Sequence, residues 1–157
     1  MVDRSRLAIM AAGAGSAAML LAALGFQFLG GLPPCQLCLW QRWPHLAAVV
    51  AALLWLVTRW RLWPWLGALA ALTTAGIGVF HLGVEQGWWE FISSCTQGSI
   101  LGESGASLLP GASTEITLPV RCDRIAWAFL GLSMAAWNAI LSLALALVWL
   151  AGALLRK

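Results

Sequence analysis

Residues 34–59, Pro34-Cys35-Gln36-Leu37-Cys38-Leu39-Trp40-Gln41-Arg42-Trp43-Pro44-His45-Leu46-Ala47-Ala48-Val49-Val50-Ala51-Ala52-Leu53-Leu54-Trp55-Leu56-Val57-Thr58-Arg59, decide how many times this chain crosses a membrane. The uninterrupted apolar part, Leu46–Val57, is too short to span a bilayer, which needs about 20 residues. Counting back about 20 residues from Arg59 reaches Leu39–Trp40, which makes 40–58 a span and puts Arg42 and His45 at a membrane boundary. Pro44 suits the first turn of a helix, so regular helix is expected to begin near Gln41–Trp43. The two cysteines then stand at the mouth of that helix, with a cation four residues after the second.

Three further apolar stretches flank this one. Leu7–Leu29 and Met134–Leu155 carry no charge, and Trp65–Val84 has only His81 as a titratable group. The chain is 61% hydrophobic and 10% charged, with mean hydropathy +0.85. Soluble domains carry about 25% charged residues, so an integral membrane protein is expected. The expected fold is all-α: one domain over 1–157, a four-helix transmembrane bundle with spans 7–29, 40–58, 65–84 and 134–155. Arg4 and Arg6 before an apolar run resemble a secretory leader. That run exceeds the usual 7–15 apolar residues and three spans follow, so it is expected to be the first transmembrane helix. The net charge of +3 does not point to nucleic acid, because the cations do not gather on one element.

Their distribution predicts orientation. With four spans, the termini and the segment at 59–63 share one side and carry Arg4, Arg6, Arg59, Arg61, Arg156 and Lys157 against Asp3. The other side carries Arg42, Arg121 and Arg124 against Glu85, Glu90, Glu103, Glu115 and Asp123. Cations favour the cytoplasmic side, so both termini are expected there and both loops, 30–39 and 87–133, outside. Trp40, Trp43, Trp88 and Trp89 at one end, with Trp60, Trp63 and Trp65 at the other, suit interfacial anchors.

Cys35, Cys38, Cys95 and Cys122 all fall in the outer loops. Four cysteines allow three pairings; local closure favours Cys35–Cys38, which would leave Cys95 to Cys122. The segment between the latter two is rich in Gly, Ser, Thr and Pro, which suits delivery of a sulfur to partners. Ser107–Leu109 is a candidate surface-lying piece, and Ile125–Leu132 a candidate interfacial helix leading into the fourth span. Three chemistries fit such cysteines: inert staples on a non-enzymatic membrane scaffold, a tetrathiolate zinc site, or thiol–disulfide exchange. A second Cys-x-x-Cys is missing, which disfavours zinc, and no metal is expected. A Cys-x-x-Cys ring is more often redox-active than a long-range staple, which favours exchange. A quinone matches the two electrons of a dithiol and needs an apolar slot with a few polar groups. Arg42 lies one turn beyond Cys38. His81 and Glu85 share one face of the third span, where the plainer alternatives are helix packing for His81 and an interfacial position for Glu85.

These residues resemble the disulfide bond formation protein B family of bacterial inner-membrane quinone reductases. The resemblance runs through Pro34–Arg42, His81–Trp88, Cys95, Val120–Asp123 and Trp127–Met134, and so covers nearly the whole chain. It implies reoxidation of a periplasmic thioredoxin-fold oxidase of the DsbA type and delivery of electrons to ubiquinone or menaquinone of the membrane pool. It further implies that Cys95 is attacked by the reduced partner, that Cys122 is its resolving mate, and that Cys35–Cys38 receives the electrons. Cys38 would face the quinone, with Arg42, His81 and Glu85 lining its pocket.

Overall fold

The computed structural model describes residues 3–89 and 120–155. Four helices dominate: α1 (Arg4–Phe28), α2 (Gln36–Thr58), α3 (Leu62–Glu85) and, after a short hairpin, α4 (Met134–Leu154). Each is long and apolar enough to cross a membrane. The short connections after α1 and α2 make sequential neighbours antiparallel. α1 packs on α2 and α4, and α3 packs on the same two, so the helices form a closed ring with little contact along the α1–α3 diagonal.

The packing surface is made of small residues. Ile9, Ala12, Ala48, Ala51, Ala52, Ala68, Ala71 and Ala146 surround the buried indoles of Trp55 and Trp149. Lipid is as apolar as leucine, so helices in a bilayer gain from close backbone approach rather than from hiding apolar area. Gly78 shows the consequence: a Cβ there would meet the Ala139 backbone of α4 at 3.0 Å. The larger leucines point outward, among them Leu21, Leu53, Leu69 and Leu147. Trp40, Trp43, Trp60, Trp65, Trp88 and Trp89 are exposed, as anchors require.

α2 starts earlier than its sequence suggests. It begins at Gln36, and Pro44 lies inside it. The reason is Cys35: its backbone is extended, and its sulfur accepts the Cys38 N–H at 3.2 Å, capping the helix ahead of the start expected near Gln41–Trp43. Neighbouring helices in a bundle support the backbone group freed by an internal proline.

Ile125–Leu132 is not helical. Ala128–Phe129 (β1) and Leu132–Ser133 (β2) pair antiparallel across a two-residue turn. Leu130 and Gly131 both have positive φ, 52° and 78°, the backbone that such a tight hairpin demands. Phe26, Trp127, Phe129 and Trp137 pack ring on ring around it, and the Trp137 indole donates to the Phe129 carbonyl at 3.1 Å. Cys95 and Ser107–Leu109 lie outside the described residues.

Candidate functional site

The two cysteine regions meet at the N-terminus of α2. Cys35 Sγ lies 2.8 Å from Cys38 Sγ, and Cys35 also shares a hydrogen bond with the Cys122 side chain. Cys35 and Cys122 are buried in one cluster with Leu37 and Val84. Cys35 is thus the middle sulfur of three. Its thiol is pushed far up from the ordinary range, first by sharing its proton with Cys122 and then by Cys38 and burial. Cys122 is pulled down to about 6, mainly because it accepts from Cys35, and further by the backbone N–H groups of Leu37 and Gln36. Those are among the first N–H groups of α2, which no intrahelical carbonyl satisfies. The helix terminus therefore supports a Cys122 thiolate. Arg121 is committed elsewhere: its Nε and Nη2 donate to Asp123 at 2.9 and 2.5 Å.

Behind these sulfurs lies a cavity of about 250 Å³, just below the usual range of ligand pockets. Its wall is mostly apolar, with Met19, Leu20, Phe26, Trp137 and Leu141. Cys38, Arg42, His81 and Glu85, all expected at such a pocket, line it. Arg42 Nη1 donates to Gln27 Oε1 of α1 at 2.6 Å, and its Nε is buried with no partner among the described residues. His81 faces Cys35 Sγ through Nε2 at 3.6 Å and Gln41 Nε2 through Nδ1 at 3.1 Å. An amide nitrogen only donates, so Nδ1 accepts and the His81 proton sits on Nε2, toward the sulfur. The Glu85 side chain is 4% exposed. Its carboxylate lies 3.9 Å from His81 Nε2 and accepts from the Ser133 hydroxyl, which also caps α4. Cys35, Cys38 and His81 place three ligand-type atoms within 4.8 Å of one another.

Deeper along the same face of α2, His45 also lines the cavity. It is 3% exposed, its side chain buried inside the bundle. His45 Nε2 lies 3.0 Å from Asn138 Oδ1 and 3.3 Å from Ser142 Oγ of α4. Asn138 Nδ2 donates to Thr74 O and Oγ1 of α3 at 3.3 and 3.2 Å, and Thr74 Oγ1 donates to the Gln41 carbonyl at 3.1 Å. Sequence reading passed over Gln27, Thr74, Ser133, Asn138 and Ser142. Each is a polar residue in or beside an apolar run, and that is the signal that could have marked it.

A four-helix membrane bundle that holds a redox-type cysteine pair, a third sulfur against it and a cation-lined apolar pocket defines a class: membrane thiol–disulfide proteins. Comparison with known proteins narrows the class. The family model described as disulfide bond formation protein DsbB matches residues 5–152. A disulfide bond formation protein B of Methylococcus capsulatus is 35% identical over 141 residues, covering 82% of each chain. One of Xylella fastidiosa is 34% identical over 144 residues, covering 84% of this chain and 80% of the relative. No solved structure gives a significant match. The chain belongs to the disulfide bond formation protein B family, and its class of activity is disulfide oxidoreduction in a membrane.

Proposed function

We propose that this protein is an inner-membrane thiol:quinone oxidoreductase that reoxidises a periplasmic thioredoxin-fold dithiol oxidase, with its cysteines on the periplasmic side. The observation that carries this reading is the position of Cys38: it follows the middle sulfur of a three-sulfur array and lines an apolar cavity with Arg42. The cavity suits a quinone head group, because its wall is apolar and two buried nitrogens in its lining residues, Arg42 Nε and His45 Nδ1, have no partner among the described residues.

In this reading the reduced partner attacks Cys95, and Cys122 leaves as a thiolate. Cys122 then attacks Cys35: the Cys122–Cys35 bond forms, the Cys35–Cys38 bond breaks and Cys38 leaves as a thiolate on the cavity side. The Leu37 and Gln36 N–H groups, which do not depend on a Cys35 proton, favour the Cys122 thiolate both as leaving group and as attacking sulfur. Arg42, held by Gln27, stabilises the Cys38 thiolate and offers a donor to a ring oxygen. His81 Nε2–H faces Cys35 and steadies charge there. A ubiquinone or menaquinone in the cavity supplies the two-electron, two-proton acceptor. The partner's second thiol then closes the partner's own disulfide and releases Cys95. Cys95 attacks Cys122, so the Cys95–Cys122 bond re-forms, the Cys122–Cys35 bond breaks and Cys35 is freed. Cys35 and Cys38 close again as their two electrons and two protons leave for the acceptor, so the sum balances.

The test is turnover by purified protein with a short-chain ubiquinone or menaquinone and a reduced thioredoxin-fold oxidase. Quinone absorbance should fall as the partner is oxidised, and Cys38→Ser should lower the rate by at least about a hundredfold, since it removes the nucleophile itself. Normal turnover by Cys38→Ser would sink the reading.

A further inference from the structure

The hydrogen bonds around His45 fix which of its nitrogens carries the proton. Asn138 Nδ2 is turned to Thr74, whose hydroxyl donates onward to the Gln41 carbonyl. Asn138 Oδ1 is therefore the atom facing His45 Nε2 at 3.0 Å. A carbonyl oxygen only accepts, so Nε2 is the protonated nitrogen of the neutral ring. Ser142 Oγ, 3.3 Å from Nε2 and 3.5 Å from Asn138 Oδ1, fits the same assignment as a donor to that oxygen. Nδ1 is left as a bare lone pair, buried and without a partner among the described residues, on a side chain that lines the cavity. His45 stands seven residues beyond Cys38, about 10 Å along the helix, so it belongs to the deep end of the pocket.

A quinone and its reduced form differ most at their oxygens. The oxidised ring offers two carbonyl acceptors, whereas the reduced ring offers two hydroxyl donors. Arg42, a donor beside Cys38, suits either through an oxygen lone pair. A lone pair at the deep end suits only a hydroxyl. We infer that His45, held in this tautomer by Asn138, Thr74 and Ser142, is a redox-state selector: it binds the hydroquinone ring in preference to the quinone. Such a preference favours reduction of the acceptor within the site and so helps draw electrons off Cys38. His45 acts by contact with the ring, and Asn138 is a positioning residue that acts through it.

This inference rests on the quinone reading, and one experiment separates the two. Binding of a short-chain ubiquinone and of its hydroquinone is measured anaerobically by tryptophan quenching in a Cys35→Ser/Cys38→Ser background, where the ring and the protein exchange no electrons. The unaltered pocket should bind the hydroquinone about three- to tenfold more tightly than the quinone, the worth of one neutral hydrogen bond. His45→Phe should erase that preference by weakening hydroquinone binding alone. Asn138→Leu, which keeps the imidazole but removes the acceptor that fixes its tautomer, should narrow it. Equal affinities in the unaltered pocket, or an equal loss of both ligands in His45→Phe, would overturn the selector while leaving the quinone site standing. Binding of neither form would overturn both.

Discussion

Cys122 shows how one thiol is set for exchange by what surrounds it. Its position next to Arg121 and Arg124 in sequence suggests guanidinium support, but Arg121 is spent on Asp123. The sulfur instead takes hydrogen bonds from Cys35 and from the N–H groups that open α2, which hold it at about 6 against an ordinary value of 9.0. A lowered pKa means the thiolate is present above that pH and lost below it. Titrating the thiolate absorbance of the fully reduced protein should show a step near pH 6 that disappears in Cys122→Ser. A Cys122-dependent step near pH 9 would contradict the arrangement. The neighbouring Cys35 keeps its proton, because burial and two adjacent sulfurs all disfavour its charge. With all three sulfurs reduced the array is thus asymmetric, with the charge favoured on Cys122 and the proton on Cys35.

At the scale of elements, α2 carries the most. One face presents Cys38, Gln41, Arg42 and His45, spaced so that each reaches the cavity or the groups behind it. The helix also makes its own cap from Cys35, so the Cys-x-x-Cys pair and the helix start are one feature. α3 and α4 must approach closely for His81, Thr74 and Asn138 to meet α2, and Gly78 against the Ala139 backbone permits it. Gly78→Val should overpack that crossing and lower detergent-solubilised stability by about 1–3 kcal/mol, read as a fall in the thermal midpoint of tryptophan fluorescence. Gly76→Val is the control: it lies on the same helix with nothing within 4 Å of a new Cβ, so only the smaller β-branching cost applies. Equal falls would show that packing at Gly78 is not what sets the α3–α4 approach. The hairpin β1–β2 replaces an expected interfacial helix because Leu130 and Gly131 turn the chain back, and it delivers Ser133 to Glu85. Apolar composition over 125–132 fits either form; backbone handedness at two residues decides.

For the molecule as a whole, the charge asymmetry predicts orientation. A phosphatase reporter placed between residues 100 and 115 should be active outside the cytoplasm, and one fused after Lys157 inactive. The reverse pattern would overturn the assignment of sides. Much of the fold was legible without coordinates. Four apolar stretches of sufficient length, separated by cations and turn residues, determine a four-helix bundle because a bilayer admits no unsatisfied backbone. Cysteine spacing and the cation one turn beyond marked the pocket residues Cys38 and Arg42, since positions four apart on a helix share a face. The rest was not legible, because it depends on which helix faces which. Nothing local says that Gln27 will anchor Arg42, that Ser133 will reach Glu85, or that Asn138 will turn its carbonyl to His45. By itself, then, the sequence determined the spans, the thiol chemistry and the helix that carries it, all properties of periodicity and residue type over short distances. Only the tertiary structure decided that Cys122 sits against Cys35 and that His45 is buried with one nitrogen unpartnered among the described residues, because contacts between residues dozens of positions apart arise from helix packing and leave no local mark on the chain.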